Sequence, residues 1–198
     1  MKLAGIDIGN DSVKLLMDGS SEPIVVPNIV APGFDRPILQ FEESALQALD
    51  VSIFSPKLAK NGERYFVGLL ATENDNNLEL DEGTNKAISD QALVVALTTL
   101  AYAALLSQPS SSFSNAYDEF EYWIGTGLPV RTYAKYRSIF EERLVGEHEV
   151  TFLSTPKFQN RKVKLHIKKA VVSIEGAAAL YHMATYDSLQ GKDEQLYR

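Results

Sequence analysis

The 198-residue chain contains no cysteine. That absence excludes a disulfide scaffold, a zinc–thiolate site and a cysteine nucleophile together. It fits a reducing cytoplasm, which is the expected compartment. Basic charge is scarce as well: 19 Lys and Arg stand against 26 Asp and Glu, a formal net charge of −7. Sequence-independent binding to nucleic acid draws on clustered Lys and Arg, so direct binding of that kind is not expected. The densest basic stretch, Arg161 to Lys169, alternates Lys with Val, Leu and Ile and reads as the wet face of a strand.

Long apolar runs are missing too. The longest, "ALVVALTTLAYAALL" at Ala92–Leu106, is shorter than the ~20 residues of a membrane span, and Thr98 and Thr99 sit in its middle. It reads as a helix buried on most sides, with structure on each flank. The opening "MKLAGIDIG" carries one Lys, and Asp7 interrupts it too early for the apolar part of a secretory signal.

Several catalytic patterns fail. The only Gly-Lys pair, Gly191-Lys192, is followed by Asp193, which rules out a Walker A loop. "GTGLPV" at Gly125–Val130 begins like a dinucleotide fingerprint but lacks the third Gly. There is no Gly-x-Ser-x-Gly elbow. His148, His166 and His182 are too far apart for metal-ligand spacing, and each reads as a solvated or core-edge histidine. Asp75, Asn77 and Glu79 alternate like a calcium loop, but Leu80 stands where the sharp turn needs Gly, so "TENDNNLELDEG" reads as a solvated loop.

What remains is an ordinary globular composition, 45% hydrophobic and 23% charged, and the α/β class is read from the order of the elements within it. A chain of this length buries roughly 70% of its unfolded surface and needs no metal or disulfide to be stable. Leu3–Ile8, Ser12–Met17 and Pro23–Pro27 read as a three-stranded antiparallel meander. Asn28 to about Asn85 is punctuated by proline and reads as an insert, with a helix near Glu42–Leu49 and strands at Val51–Phe54 and Arg64–Leu70. Ser89 caps a helix through about Ser107. Glu121–Gly125 is a strand, Gly127-Leu128-Pro129 a turn, and Thr132 caps a helix with Tyr133, Tyr136, Phe140 and Leu144 on its apolar face. Glu149–Leu153 and Val163–Ile174 are strands, Glu175-Gly176 a break and Ala177–Tyr186 a helix. That order gives a mixed sheet with helices on it.

The stretch with chemical content is "GIDIGNDSVKLL", Gly5–Leu16. Backbone N–H groups in a Gly-containing turn form an anion-binding nest. Gly9 allows close approach, Asn10 and Ser12 add donors, and Lys14 adds a cation on the returning strand. Asp7 ends the incoming strand and suits a hydrated magnesium ion, which binds through one or two carboxylates. On these residues alone, a plain hairpin and a phosphate cradle both remain open.

The same stretch resembles the phosphate-1 loop of the actin/Hsp70/sugar-kinase ATPase superfamily. "RYFVGLLA", "GTNKAISDQALVVALTTLA", "GTGLPVRTYAKYRSIFEERLVGEHEVTF" and "VVSIEGAAAL" follow in order. The series is similar to the N-terminal half of plasmid-segregation actins of the ParM/StbA type, over nearly the whole chain.

The resemblance implies a ribonuclease H-like domain I with a five-stranded mixed sheet of order 3-2-1-4-5. Residues 1–28 and 86–198 would form its core subdomain and 29–85 an inserted one. It implies ATP and Mg2+ as ligands. Gly9, Asn10, Asp11 and Ser12 would wrap the β- and γ-phosphates, Lys14 would pair with their charge, Asp7 would reach the metal through water, and Glu175 would orient the attacking water. It implies filament formation by the full-length protein and an indirect link to DNA through an adaptor. The second phosphate loop and the adenosine motif are not in this sequence, so the chain is expected to be domain I alone, with little or no turnover. Two rival readings stand beside this one. A small-molecule kinase of the superfamily would take its base from an Asp near the second loop, a role Glu175 does not fill. A non-enzymatic module would bind a partner or its own filament without nucleotide.

Overall fold

The computed structural model describes residues 1–35, 46, 48–79, 85–108 and 117–176. The expected helix at Ala177–Tyr186 and most of that at Glu42–Leu49 lie outside these residues. In chain order the elements are β1 (Lys2–Ile8), β2 (Ser12–Met17), β3 (Ile24–Pro27), β4 (Ile29–Pro32), β5 (Leu49–Phe54), β6 (Glu63–Val67), α1 (Leu69–Thr72), β7 (Leu78–Glu79), α2 (Asp90–Leu106), β8 (Tyr117–Leu128), α3 (Val130–Leu144), β9 (Gly146–Phe152) and β10 (Arg161–Ile174).

Period-two alternation builds the sheet. β1 buries Ala4, Ile6 and Ile8, and β2 buries Val13, Leu15 and Met17. They pair antiparallel, with Asp7 opposite Lys14 and Ile8 opposite Val13. β3 adds antiparallel to β2 as the edge of the expected meander. β8 joins β1 in parallel, and β10 joins β8 in parallel. The run β3-β2-β1-β8-β10 is the expected 3-2-1-4-5 order. The sheet does not stop at five strands. Among the described residues it has ten, continuing through β9, β5, β6, β4 and β7.

β10 carries the sheet's main irregularity. It buries Arg161, Val163, Leu165 and Ile167, then Ala170 and Val172, so the buried parity changes from odd to even. Its register against β8 shifts between Ile167 and Lys169. The extra residue resets the alternation and keeps one apolar face through 14 residues. It also turns Val171 and Ser173 to the open face of the sheet, just before Glu175.

The buried face is covered by α2 and α3. Every residue of α2 from Ala92 to Leu105 is buried. The Thr98 and Thr99 hydroxyls donate to the carbonyls of Val94 and Val95, both at 2.8 Å, so neither is left unsatisfied. Ser89 caps the helix by accepting from the Ala92 N–H. No described helix is long and apolar enough to cross a membrane. α3 buries Phe140 and Leu144, and its Arg143 donates to Asp90 at 2.6 Å, tying the two helices together.

Local differences from the sequence reading have local causes. Leu49 begins β5 instead of ending a helix. The strand expected to reach Leu70 stops at Val67, because Gly68 takes φ 66° and starts α1. Gly127 and Leu128 complete β8 instead of turning, and α3 starts after Pro129. Thr132 lies inside α3 and donates to the Pro129 carbonyl at 3.1 Å, so it is not the cap. His148 is buried, not at the core edge; it contacts the Leu144 carbonyl at 3.0 Å and Ser55 Oγ at 2.8 Å. Burial pushes its pKa down, so the ring is held neutral, donating from Nε2 and accepting at Nδ1.

The far end of the sheet is clipped by a buried ion pair. Asp50 is fully buried and receives Arg64 at 2.8 and 2.6 Å in bidentate geometry, with Ser154 on the same carboxylate. The hydrogen bonding of its guanidinium to the Asp50 carboxylate is the main cause that raises the Arg64 pKa. Stripping one partner from such a pair leaves an uncompensated buried charge. Arg64→Met is therefore expected to lose about 3–5 kcal/mol of stability in urea unfolding.

Candidate functional site

The first turn of the chain is built from its surroundings inward. Gly9 N–H donates to the Ser12 carbonyl at 3.0 Å and closes the turn. A Cβ on Gly9 would sit 3.1 Å from that oxygen, so the turn is tight enough to favour glycine. Behind it stands Asn28, fully buried between β3 and β4. Its side-chain amide donates to the Gly9 carbonyl at 2.8 Å, and its backbone N–H donates to the Asp11 carbonyl at 2.9 Å. Gln91, in the first turn of α2, donates to the Asn28 carbonyl at 2.8 Å. The Gly9–Asn10 peptide is planar and trans, so fixing its carbonyl on Asn28 aims the Asn10 N–H away from the buried side.

Asp7 and Lys14 are cross-strand partners on the exposed face, and neither is ion-paired among the described residues. Asn10 and Asp11 are exposed at the tip and Ser12 is half-buried. The hairpin borders a cleft of about 800 Å³ lined by Asp7, Gly9, Lys14, Gly127, Ser173 and Glu175, among others. Asp7, Gly9, Lys14 and Glu175 are thus brought to one space. Asn10, Asp11 and Ser12 are not among the residues lining it, although they belong to the same turn.

Glu175 reaches the cleft from the end of β10. Its backbone N–H donates to the Leu128 carbonyl at 2.9 Å. Its side chain crosses Gly127, where a Cβ would lie 3.2 Å from Glu175 Cγ. The "GTG" that failed as a dinucleotide fingerprint thus makes room for Glu175. The carboxylate ends on Lys86, whose Nζ also donates to the Ile8 carbonyl at 2.7 Å.

A metal must suit these donors. No group of three or more Asp, Glu or His residues is poised for one among the described residues. Among the described residues there is therefore no carboxylate cluster that would make an all-protein calcium cage. One unpaired carboxylate beside a tight, glycine-containing turn does fit a magnesium ion that keeps its waters and leans on phosphate.

The residues missed by sequence reasoning are Asn28, Lys86 and Gln91. Lys86 and Gln91 lie in the quoted stretch "GTNKAISDQALVVALTTLA", but the resemblance gives them no role there, and each of the three gains its place through a contact 19, 78 or 63 residues away in the chain.

The family model described as "Actin like proteins N terminal domain" matches residues 5–177. The chain belongs to that family. Among solved structures, Bacillus thuringiensis ParM in apo form matches at TM-score 0.70 and 22% identity, over 91% of this chain and 47% of that one. The same protein with ATP gives 0.64 and 23%, over 87% and 45%. Actin-like protein Alp7A gives 0.67 and 19%, over 88% and 44%. A non-polymerisable quadruple mutant of pCBH ParM gives 0.69 and 22%, over 91% and 48%. The chain spans about half the length of these structures, and at such identities they establish its fold. None of the curated proteins matches it.

Asn28→Ala would leave the Gly9 carbonyl without its partner. It is expected to cost about 1–3 kcal/mol of stability and to speed amide exchange at Asn10 and Ser12, read by urea unfolding and hydrogen exchange.

Proposed function

We propose that this chain is the phosphate-gripping N-terminal part of an ATP-binding, filament-forming actin-like protein that serves plasmid or other DNA segregation in the cytoplasm. The observation that carries this reading is the meeting of the Gly9 turn, the unpaired Asp7 and Lys14 charges and Glu175 at one cleft. The matched Bacillus thuringiensis ParM was solved with ATP, and a matched ParM is a mutant made non-polymerisable. Residues 1–28 and 86–198 would be the core subdomain and 29–85 the inserted one; β4, β6 and β7 lie together at the far end of the sheet. With a net charge of −7, the link to DNA would run through an adaptor protein.

The chemistry follows from charge. Phosphoryl transfer to water needs neutralised phosphate oxygens and a positioned water more than covalent help. The Gly9–Ser12 turn would wrap the β- and γ-phosphates, with the backbone N–H groups of Asn10, Asp11 and Ser12 as donors because that of Gly9 closes the turn, and Lys14 would neutralise part of their charge. Asp7 would hold magnesium through water, and the bound ion would supply further charge neutralisation. Glu175 would orient the attacking water and accept its proton, a contribution of about 10²–10⁴-fold in rate. The resemblance assigns the second phosphate loop and the adenosine motif to sequence beyond these residues, so turnover is proposed for the full-length protein.

Calorimetric titration of the full-length protein with ATP tests this. Binding should require magnesium. Lys14→Ala should weaken it about tenfold or more, the scale of a charge-assisted hydrogen bond. Glu175→Ala should spare binding and abolish most hydrolysis. Binding indifferent to magnesium, Asp7→Ala and Lys14→Ala would overturn the reading.

A further inference from the structure

We infer that Lys86 is a positioning residue for the hydrolytic step: one buried ammonium joins the two banks of the cleft and sets where the Glu175 carboxylate stands. The inference rests on the function proposed above and deepens it.

Lys86 lies in the segment that leads into α2, and its side chain is only 8% exposed. A lysine is rarely buried without a partner, because desolvating an ammonium is costly. Here the partners are unusual in their placement. One is the carbonyl of Ile8, the last residue of β1, directly before Gly9. The other is the Glu175 carboxylate, just beyond the end of β10. β1 and β10 are not neighbours in the sheet; β8 lies between them. No backbone ladder therefore fixes the end of β10 against the hairpin. Lys86 bridges that gap from the buried side.

Glu175 is held at three points. Its backbone is bound to Leu128, its stem lies on Gly127, and its carboxylate meets Lys86. The side chain is still 40% exposed, so the carboxylate keeps access to solvent in the cleft. One of its oxygens takes the ammonium, which leaves the other to accept from a water. The ammonium itself has three donors and uses two on these partners. Without Lys86 the carboxylate has no charged group to fix it among the described residues, and a misplacement of about 1 Å at such a site costs on the order of 10²-fold in rate.

The test is steady-state hydrolysis and MgATP binding by the full-length protein and its Lys86→Met, Lys86→Gln, Glu175→Gln and Lys86→Met/Glu175→Gln variants. The expected result is that Lys86→Met lowers kcat about 10–100-fold, while the dissociation constant for MgATP moves by less than about threefold. The double variant should be no slower than Glu175→Gln alone, because both changes act through one carboxylate. Lys86→Gln keeps a donor for Ile8 but no charge. It should show the same loss of kcat, and it carries the test if Lys86→Met fails to fold. A merely structural lysine would instead lower affinity and kcat together, and its effect would add to that of Glu175→Gln. That pattern, or a kcat within twofold of wild type, overturns the inference while leaving the proposed function standing. A wild-type protein that neither binds nor hydrolyses MgATP overturns both.

Discussion

The structure depends on the burial of α2. A 17-residue helix with every position from Ala92 to Leu105 out of solvent has little freedom to slide or roll on the sheet. Its N-terminal end is therefore a fixed point, and the cleft is hung from it. Gln91 reaches the Asn28 carbonyl, and Asn28 holds the Gly9 turn. Asp90 takes Arg143 of α3 and the Ala59 N–H at 3.0 Å. Lys86, just ahead of the cap, joins Ile8 to Glu175. The same packing that stabilises the core thus places a hairpin and a carboxylate that are more than 160 residues apart in the chain.

Much of this was legible in the sequence where the signal is local. The β1–β2 hairpin announced itself by alternation around Gly9-Asn10-Asp11, and α2 by its Ser89 cap and apolar run. The order of the five strands β3-β2-β1-β8-β10 followed from the family resemblance. Signals shorter than a period were lost. β4 has four residues and β7 two, too few for any alternation to show. β8 was cut short because Gly127 and Pro129 read as a turn, whereas Gly127 extends the strand and makes room for Glu175. The bulge that reverses the parity of β10 is invisible until its partner strand is known.

The candidate site divides the same way. The hairpin residues could be named from their types and spacing, because a nest, a cation and an acid within eight positions form a local pattern. Asn28 and Lys86 could not. An asparagine between two prolines' strands and a lysine before a helix cap have many solvated uses, and only the folded chain brings them behind the turn. Their chemistry is of the supporting kind: they fix the atoms that a ligand would meet. On the proposed function, that division would place recognition in a short motif and its precision in buried polar contacts from distant segments.

A crystal structure of the full-length protein with magnesium and a non-hydrolysable ATP analogue tests the central claim most directly. The terminal phosphates should lie against the Gly9–Ser12 turn with Lys14 in contact, Asp7 one water from the metal, and Glu175 facing the γ-phosphate while still paired with Lys86. Nucleotide bound elsewhere, with the hairpin and Glu175 untouched, would contradict it.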